Sequence, residues 1–220
     1  MADDPHIGPQ PGGVLIDAAE AVSLMDWKRR IFKLYQEVRA ASDPLSAWEH
    51  WRSTRDDMFK NHLRSPIPED ERSDFEGLTV YEYRPDLRLL GEVEAQEPQR
   101  YDIATSGENP YSFTRFGTVH VTIEDRPAAL ELYWLDGYGG GIFLPFRDGT
   151  SGSETYGAGR YLLDTVKGAD LGMEDGLLVL DFNFAYNPSC SYDPRWVCPL
   201  APPPNRFELR VEAGERQRHR

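Results

Sequence analysis

After Asp74 the apolar residues change period, and that change constrains the fold more than any other feature of the chain. Upstream they recur every three or four positions, as one face of a helix requires. Downstream they alternate in short runs separated by Gly, Pro, Asn and Asp, as antiparallel strands require. Residues 17–41 put Leu24, Trp27, Ile31, Leu34, Tyr35 and Val38 on one stripe. A second helix opens with Asp43 as N-cap and Pro44 at its first position, carries Leu45, Trp48, Trp51, Met58 and Phe59, and stops near Ser65 and Pro66. Both stripes read as packing faces set against a sheet.

Alternation begins at Leu78 to Tyr83. The clearest hairpin spans residues 117–135, turning at Asp125, Arg126 and Pro127. Residues 87–94, 100–105, 112–116, 142–146, 160–165, 177–182 and 207–211 are further strand candidates, and no strand-helix alternation calls for a parallel sheet. The expected fold is mainly β within an α+β class: an antiparallel β-barrel or strongly curled sheet with two N-terminal helices packed on it. One domain over residues 14–215 is expected, between a loose N-terminal tail, 1–13, and a charged tail, 216–220.

With 37 acidic against 24 basic residues the net charge is −13, a sign that repels phosphate backbones, so nucleic acid is not an expected partner. No apolar run approaches membrane-spanning length and the N-terminus carries no basic start followed by an apolar run, so no membrane association and a cytoplasmic location are expected. In that compartment Cys190 and Cys198, with seven residues between them, stay thiols; in an oxidising one they are close enough in sequence to bridge. The five histidines lack paired ligand spacing, so no metal site is expected. Gly139 to Gly141 lacks the lysine and following helix of a phosphate loop, and no motif names a cofactor or an oligomeric state.

Polar residues concentrate in the last third. Arg147, Thr150, Ser151, Tyr156, Arg160, Asn183, Tyr186, Asn187 and Asn205 are candidate ligand-binding residues, because they combine forked cations, hydroxyls and amides with chain-turning glycines. Asp148 and Asp181 are candidate catalytic carboxylates; Asp181 ends an apolar strand, where an acid serves either as a base or as a turn cap. A hydrolytic triad would need His120, which sits at a polar alternating position.

The run Arg147, Asp148, Gly149, Thr150, Ser151, Gly152, then Thr155, Tyr156, Gly157, Gly159, Arg160, then Leu180, Asp181, Phe182, Asn183, Ala185, Tyr186, Asn187, Pro188 and Cys190, then Cys198, Pro199, Pro204 and Asn205, and last Ala213, Gly214 and Glu215, resembles the bacterial and archaeal family called domain of unknown function 1684. Trp51, Arg52, Asp57, Phe59, Ser65 and Pro66 also fit that family's opening helix. The resemblance implies one domain over most of the chain and names no activity. Three readings stay open: a β-barrel pocket for a small polar or anionic ligand; an enzyme, a hydrolase or other acid-base catalyst, using Asp148 or Asp181 with Arg160; and a structural or interaction module without a pocket.

Overall fold

In a computed structural model, residues 17–137 and 139–218 are described; the expected tail 1–13 and the end of the charged tail, 219–220, lie outside them. Helix α1 (Ala18–Ala40) is closed at its start by Asp17 and Glu20, whose side chains each take the other's backbone N–H. Helix α2 (Pro44–Asn61) begins with Pro44 after Asp43, whose carboxylate accepts from the Ser46 N–H at 2.9 Å. These limits follow the sequence signals closely, since cap and apolar stripe agree at both helices.

Among the described residues eight strands follow: β1 (Arg88–Gly91), β2 (Val93–Ile103), β3 (Tyr111–Ile123), β4 (Arg126–Leu135), β5 (Ile142–Phe146), β6 (Arg160–Asp164), β7 (Met173–Glu174) and β8 (Leu177–Asp181). All named pairings are antiparallel. They form a five-stranded meander in the order β2-β3-β4-β5-β6 and a three-stranded sheet in the order β1-β8-β7. A closed barrel needs a ladder from β2 to β6, and none is found among the described residues. The β3-β4 hairpin turns one residue earlier than expected, through Glu124 and Asp125 at φ 48° and 63°, the left-handed pair that matches strand twist. Pro145 interrupts the β5-β6 ladder with a register shift after Leu144, because it has no N–H to donate.

Residues 207–211, expected as a strand, are not one. Phe207 N–H donates to the Arg147 carbonyl and Gly149 N–H to that of Leu209, so the segment lies beside residues 147–149 without a continuous ladder. Side chains complete its pairing, as described below. Residues 216 and 217 are also tied down, Arg216 N–H to the Thr79 carbonyl and Gln217 N–H to that of Glu154.

The main core joins Leu34, Trp48 and Trp51 of the helices to Val119, Leu130, Leu144, Leu162 and Leu180 of the two sheets. Trp51 Nε1 donates to the Tyr35 hydroxyl at 3.1 Å and Trp48 Nε1 to the Asn183 carbonyl at 3.1 Å, so both of these buried indoles find an acceptor. A smaller aromatic cluster of Phe113, Tyr133, Phe143 and Tyr161 occupies part of the five-stranded sheet. Helix placement thus depends on α2, and its cap is expected to matter: Asp43→Ala should lower stability by about 1 kcal/mol, read as a fall of about 2–4 °C in melting temperature, and an unchanged melting temperature would contradict the capping role.

Candidate functional site

Asp148 and Arg160 meet at the ends of β5 and β6. Asp148 Oδ1 accepts from Arg160 Nη2 at 3.3 Å and Ser151 Oγ at 3.2 Å; Oδ2 accepts from Thr150 Oγ1 at 2.8 Å, Thr150 N at 3.2 Å and Val211 N at 2.8 Å. Arg160, 1% exposed, donates to the Val211 carbonyl at 2.9 Å, to the Glu215 carbonyl at 3.3 Å and to that of Ala213. One guanidinium thereby takes three alternate carbonyls of an extended segment, as a neighbouring strand would. Gly159 permits this approach: at φ +100° a Cβ there would stand 2.4 Å from the Phe146 carbonyl oxygen. Thr150, with Thr155 Oγ1 at 2.9 Å, and Ser151 belong to this group, whereas Arg147 is exposed on an open groove with Arg206.

Asn183 and Asn205 also stand in for strands. Asn183 accepts the Arg84 N–H and donates to the Arg84 carbonyl, both at 2.7 Å; Asn205 does the same to Glu131, at 2.7 and 2.9 Å, and adds the Pro145 carbonyl at 2.8 Å. Their amide N–H groups are thus engaged by the protein itself.

Tyr186 and Asn187 sit elsewhere, on a cavity of about 70 Å³ between both helices and the end of the five-stranded sheet. Trp27, Tyr35, Phe59 and Tyr161 line it with Arg55 and Lys167. Arg55 lies against the Trp51, Phe59 and Tyr186 rings, 4.8–5.1 Å from their centroids, and its Nε and Nη2 both donate to Glu215 Oε1. Glu215 is fully buried; its Oε2 accepts from Asn187 N and from the Tyr192 hydroxyl, each at 2.8 Å. Lys167 pairs with Asp164 at 3.1 Å. Asn187 Nδ2 donates to the Arg216 carbonyl at 2.9 Å, while its Oδ1 is buried without a hydrogen-bond partner among the described residues. Burial holds the Tyr186 phenol well above its ordinary range, so it stays a neutral donor.

Sequence reasoning singled out Tyr186 and Asn187 but missed Arg55. The signal was present: Arg55 falls between Trp51 and Met58 on the apolar stripe of α2, where a charge demands a buried partner.

Asp181 occupies a third place, a cleft of about 310 Å³ with Arg39, Arg88 and Glu174. Its Oδ1 accepts from Asn183 N at 3.0 Å and Asn183 Nδ2 at 2.8 Å, so it caps the turn that follows β8; none of Arg160's hydrogen bonds or ion pairs involves it. Cys190 and Cys198 are free buried thiols, with Tyr156 near the first. His120 is exposed on β3 and bonds Glu94 at 3.0 Å. Among the described residues no group of three His, Cys, Asp or Glu side chains is arranged to hold a metal ion. The sequence candidates therefore divide among several neighbourhoods.

Burial pushes the Asp181 carboxyl up to about 6 from 3.8, outweighing the Asn183 bonds. Its folded value lies above its unfolded one, so the folded chain holds the extra proton and stability falls as pH rises from about 4 to about 6, by about 3 kcal/mol. Asp181→Asn keeps an acceptor for Asn183 and removes the charge. Thermal unfolding should therefore show the variant more stable than wild type at pH 8 and little different near pH 4; a variant less stable at pH 8 would overturn the burial argument.

The family model described as protein of unknown function (DUF1684) matches residues 73–216. A solution NMR structure of an uncharacterized protein from Haloarcula marismortui is 34% identical, with a TM-score of 0.57 over 78% of this chain and 92% of that one. No curated protein matches. No helix among the described residues is long and apolar enough to cross a membrane. The matched span contains the Asp148-Arg160 clasp, the Asn183 and Asn205 bridges and Glu215, and this chain belongs to the DUF1684 family.

Proposed function

We propose that the chain acts as one domain that binds a small polar molecule in the cavity between its helices and the end of the five-stranded sheet. The observation that carries this reading is Asn187, which lines that cavity and whose buried Oδ1 is an acceptor without a partner among the described residues. A buried acceptor left unmade costs about 1–3 kcal/mol, and a ligand hydroxyl or amide N–H would relieve it. The half-buried Tyr186 supplies a neutral donor to the same space, and no hydrogen bond of its hydroxyl is found among the described residues. Because Glu215 and Asp164 already balance Arg55 and Lys167, a neutral, donor-bearing ligand fits better than a bare anion. The cavity's size limits it to a few heavy atoms. A cytoplasmic setting, in which both cysteines stay reduced, accords with this role.

A second reading, acid-base catalysis, rests on Asp181 and its cleft with Arg39 and Arg88. A carboxyl raised to about 6 exchanges its proton near neutral pH, as a general acid or base must. Asp148 suits that role less, because five donors occupy its two oxygens.

Ligand-observed NMR against a panel of small alcohols, amides and hydroxy acids tests the first reading. A hit should lose roughly two- to tenfold in affinity in Tyr186→Phe, the worth of one neutral hydrogen bond, with the melting temperature held. Absence of any hit, together with native mass spectra free of a co-purified molecule, would sink it.

A further inference from the structure

The two cysteines lie at a junction used by no part of the readings above. Cys190 sits on the short 3-10 turn Ser189–Ser191, and its backbone N–H donates to Cys198 Sγ at 3.4 Å. The Tyr156 hydroxyl stands 3.7 Å from Cys190 Sγ. Cys198 is pinned from the other side, its N–H donating to Ser106 Oγ at 3.0 Å and its carbonyl accepting from Ser106 N at 2.9 Å. Both cysteines are buried, yet each sulfur has a polar neighbour, the Tyr156 hydroxyl for Cys190 and the Cys190 N–H for Cys198.

We propose that Cys190 and Cys198 form a peroxide-reactive dithiol, with Cys190 as the attacking sulfur and Cys198 as the resolving one. The contact with the Cys198 thiol, ahead of the opposing effect of burial, holds the Cys190 thiol below its ordinary range, and the Tyr156 hydroxyl 3.7 Å from its sulfur acts in the same direction. Exposure points the same way, 9% for Cys190 against 4% for Cys198. The Cys190 thiolate displaces one oxygen of a hydroperoxide, breaking the O–O bond and forming a sulfenic acid as the leaving alkoxide or hydroxide takes a proton. The Cys198 sulfur then attacks Cys190 Sγ, the S–O bond breaks, and water leaves with the proton of the Cys198 thiol. The peroxide is reduced and the two thiols are oxidised to one disulfide. The loop this bridge would close, residues 190–198, is flanked by Pro188 and Ser189 on the wall of the first cavity, and Val197 within it and Pro199 beside it line a neighbouring apolar cavity. The proposal stands whether or not either cavity takes a ligand.

The test is hydrogen peroxide added to the folded full chain, followed by intact mass and thiol counting. Wild type should lose two hydrogens and both thiols, and regain them with dithiothreitol. Cys198→Ser should stop at a sulfenic acid trapped by dimedone, and Cys190→Ser should react at least about tenfold more slowly than wild type. Should either variant fail to fold, brief dimedone trapping in wild type followed by peptide mapping gives the same assignment, with label on Cys190 alone. The proposal is overturned if the thiols oxidise only after denaturation, if oxygen is added without a bridge, or if label appears first on Cys198.

Discussion

Two buried cations hold the C-terminal segment in place, and the rest of the arrangement follows from them. Residues 206–216 form no named strand, yet Val211, Ala213 and Glu215 are buried. Arg160 takes the three carbonyls of those residues from one side, and Arg55 takes the Glu215 carboxylate from the other. Charges removed from water to this degree are strongly destabilising unless paired and hydrogen-bonded. Here Asp148 answers Arg160 and Glu215 answers Arg55, and each carboxylate also collects backbone N–H groups. Gly214, at φ +75°, lets the chain pass where a Cβ would meet the Ala185 carbonyl oxygen at 2.5 Å, which delivers Glu215 into its place.

That arrangement also shapes the cavity. Glu215 accepts from Asn187 N, Asn187 Nδ2 donates to the Arg216 carbonyl, and Arg55 packs against the Tyr186 ring, so the wall formed by Tyr186 and Asn187 is positioned by the C-terminal segment and α2 together. Aromatic rings from α1, α2 and β6 line other parts of it. A polar site with fixed partners on three elements is more rigid than one carried by a loop.

The helices and most strands were legible because cap, period and turn residues agreed there. Asp43 before Pro44, and the alternation at Val119, Val121 and Ile123, leave little choice. What stayed hidden depends on pairing over long sequence distances. Residues 207–211 have strand composition, but part of their pairing comes from the Asp148 carboxylate and the Arg160 guanidinium, which periodicity does not report. The polar residues of the last third looked like one group in sequence, yet Asn183 and Asn205 are spent bridging backbone while Asp181 faces another cleft. Arg55 was readable only as a charge out of place on an apolar stripe, and its partner stands 160 residues away.

The most direct measurement is a double-mutant cycle on Arg55→Met and Glu215→Gln, read by denaturant unfolding. If the buried pair holds the C-terminal segment, each single change lowers stability by about 3–5 kcal/mol, and the double variant loses less than their sum by about 2 kcal/mol or more. Losses that add to within about 0.5 kcal/mol would show two independent side chains, contradicting the account that this pair anchors the segment and the cavity wall built on it.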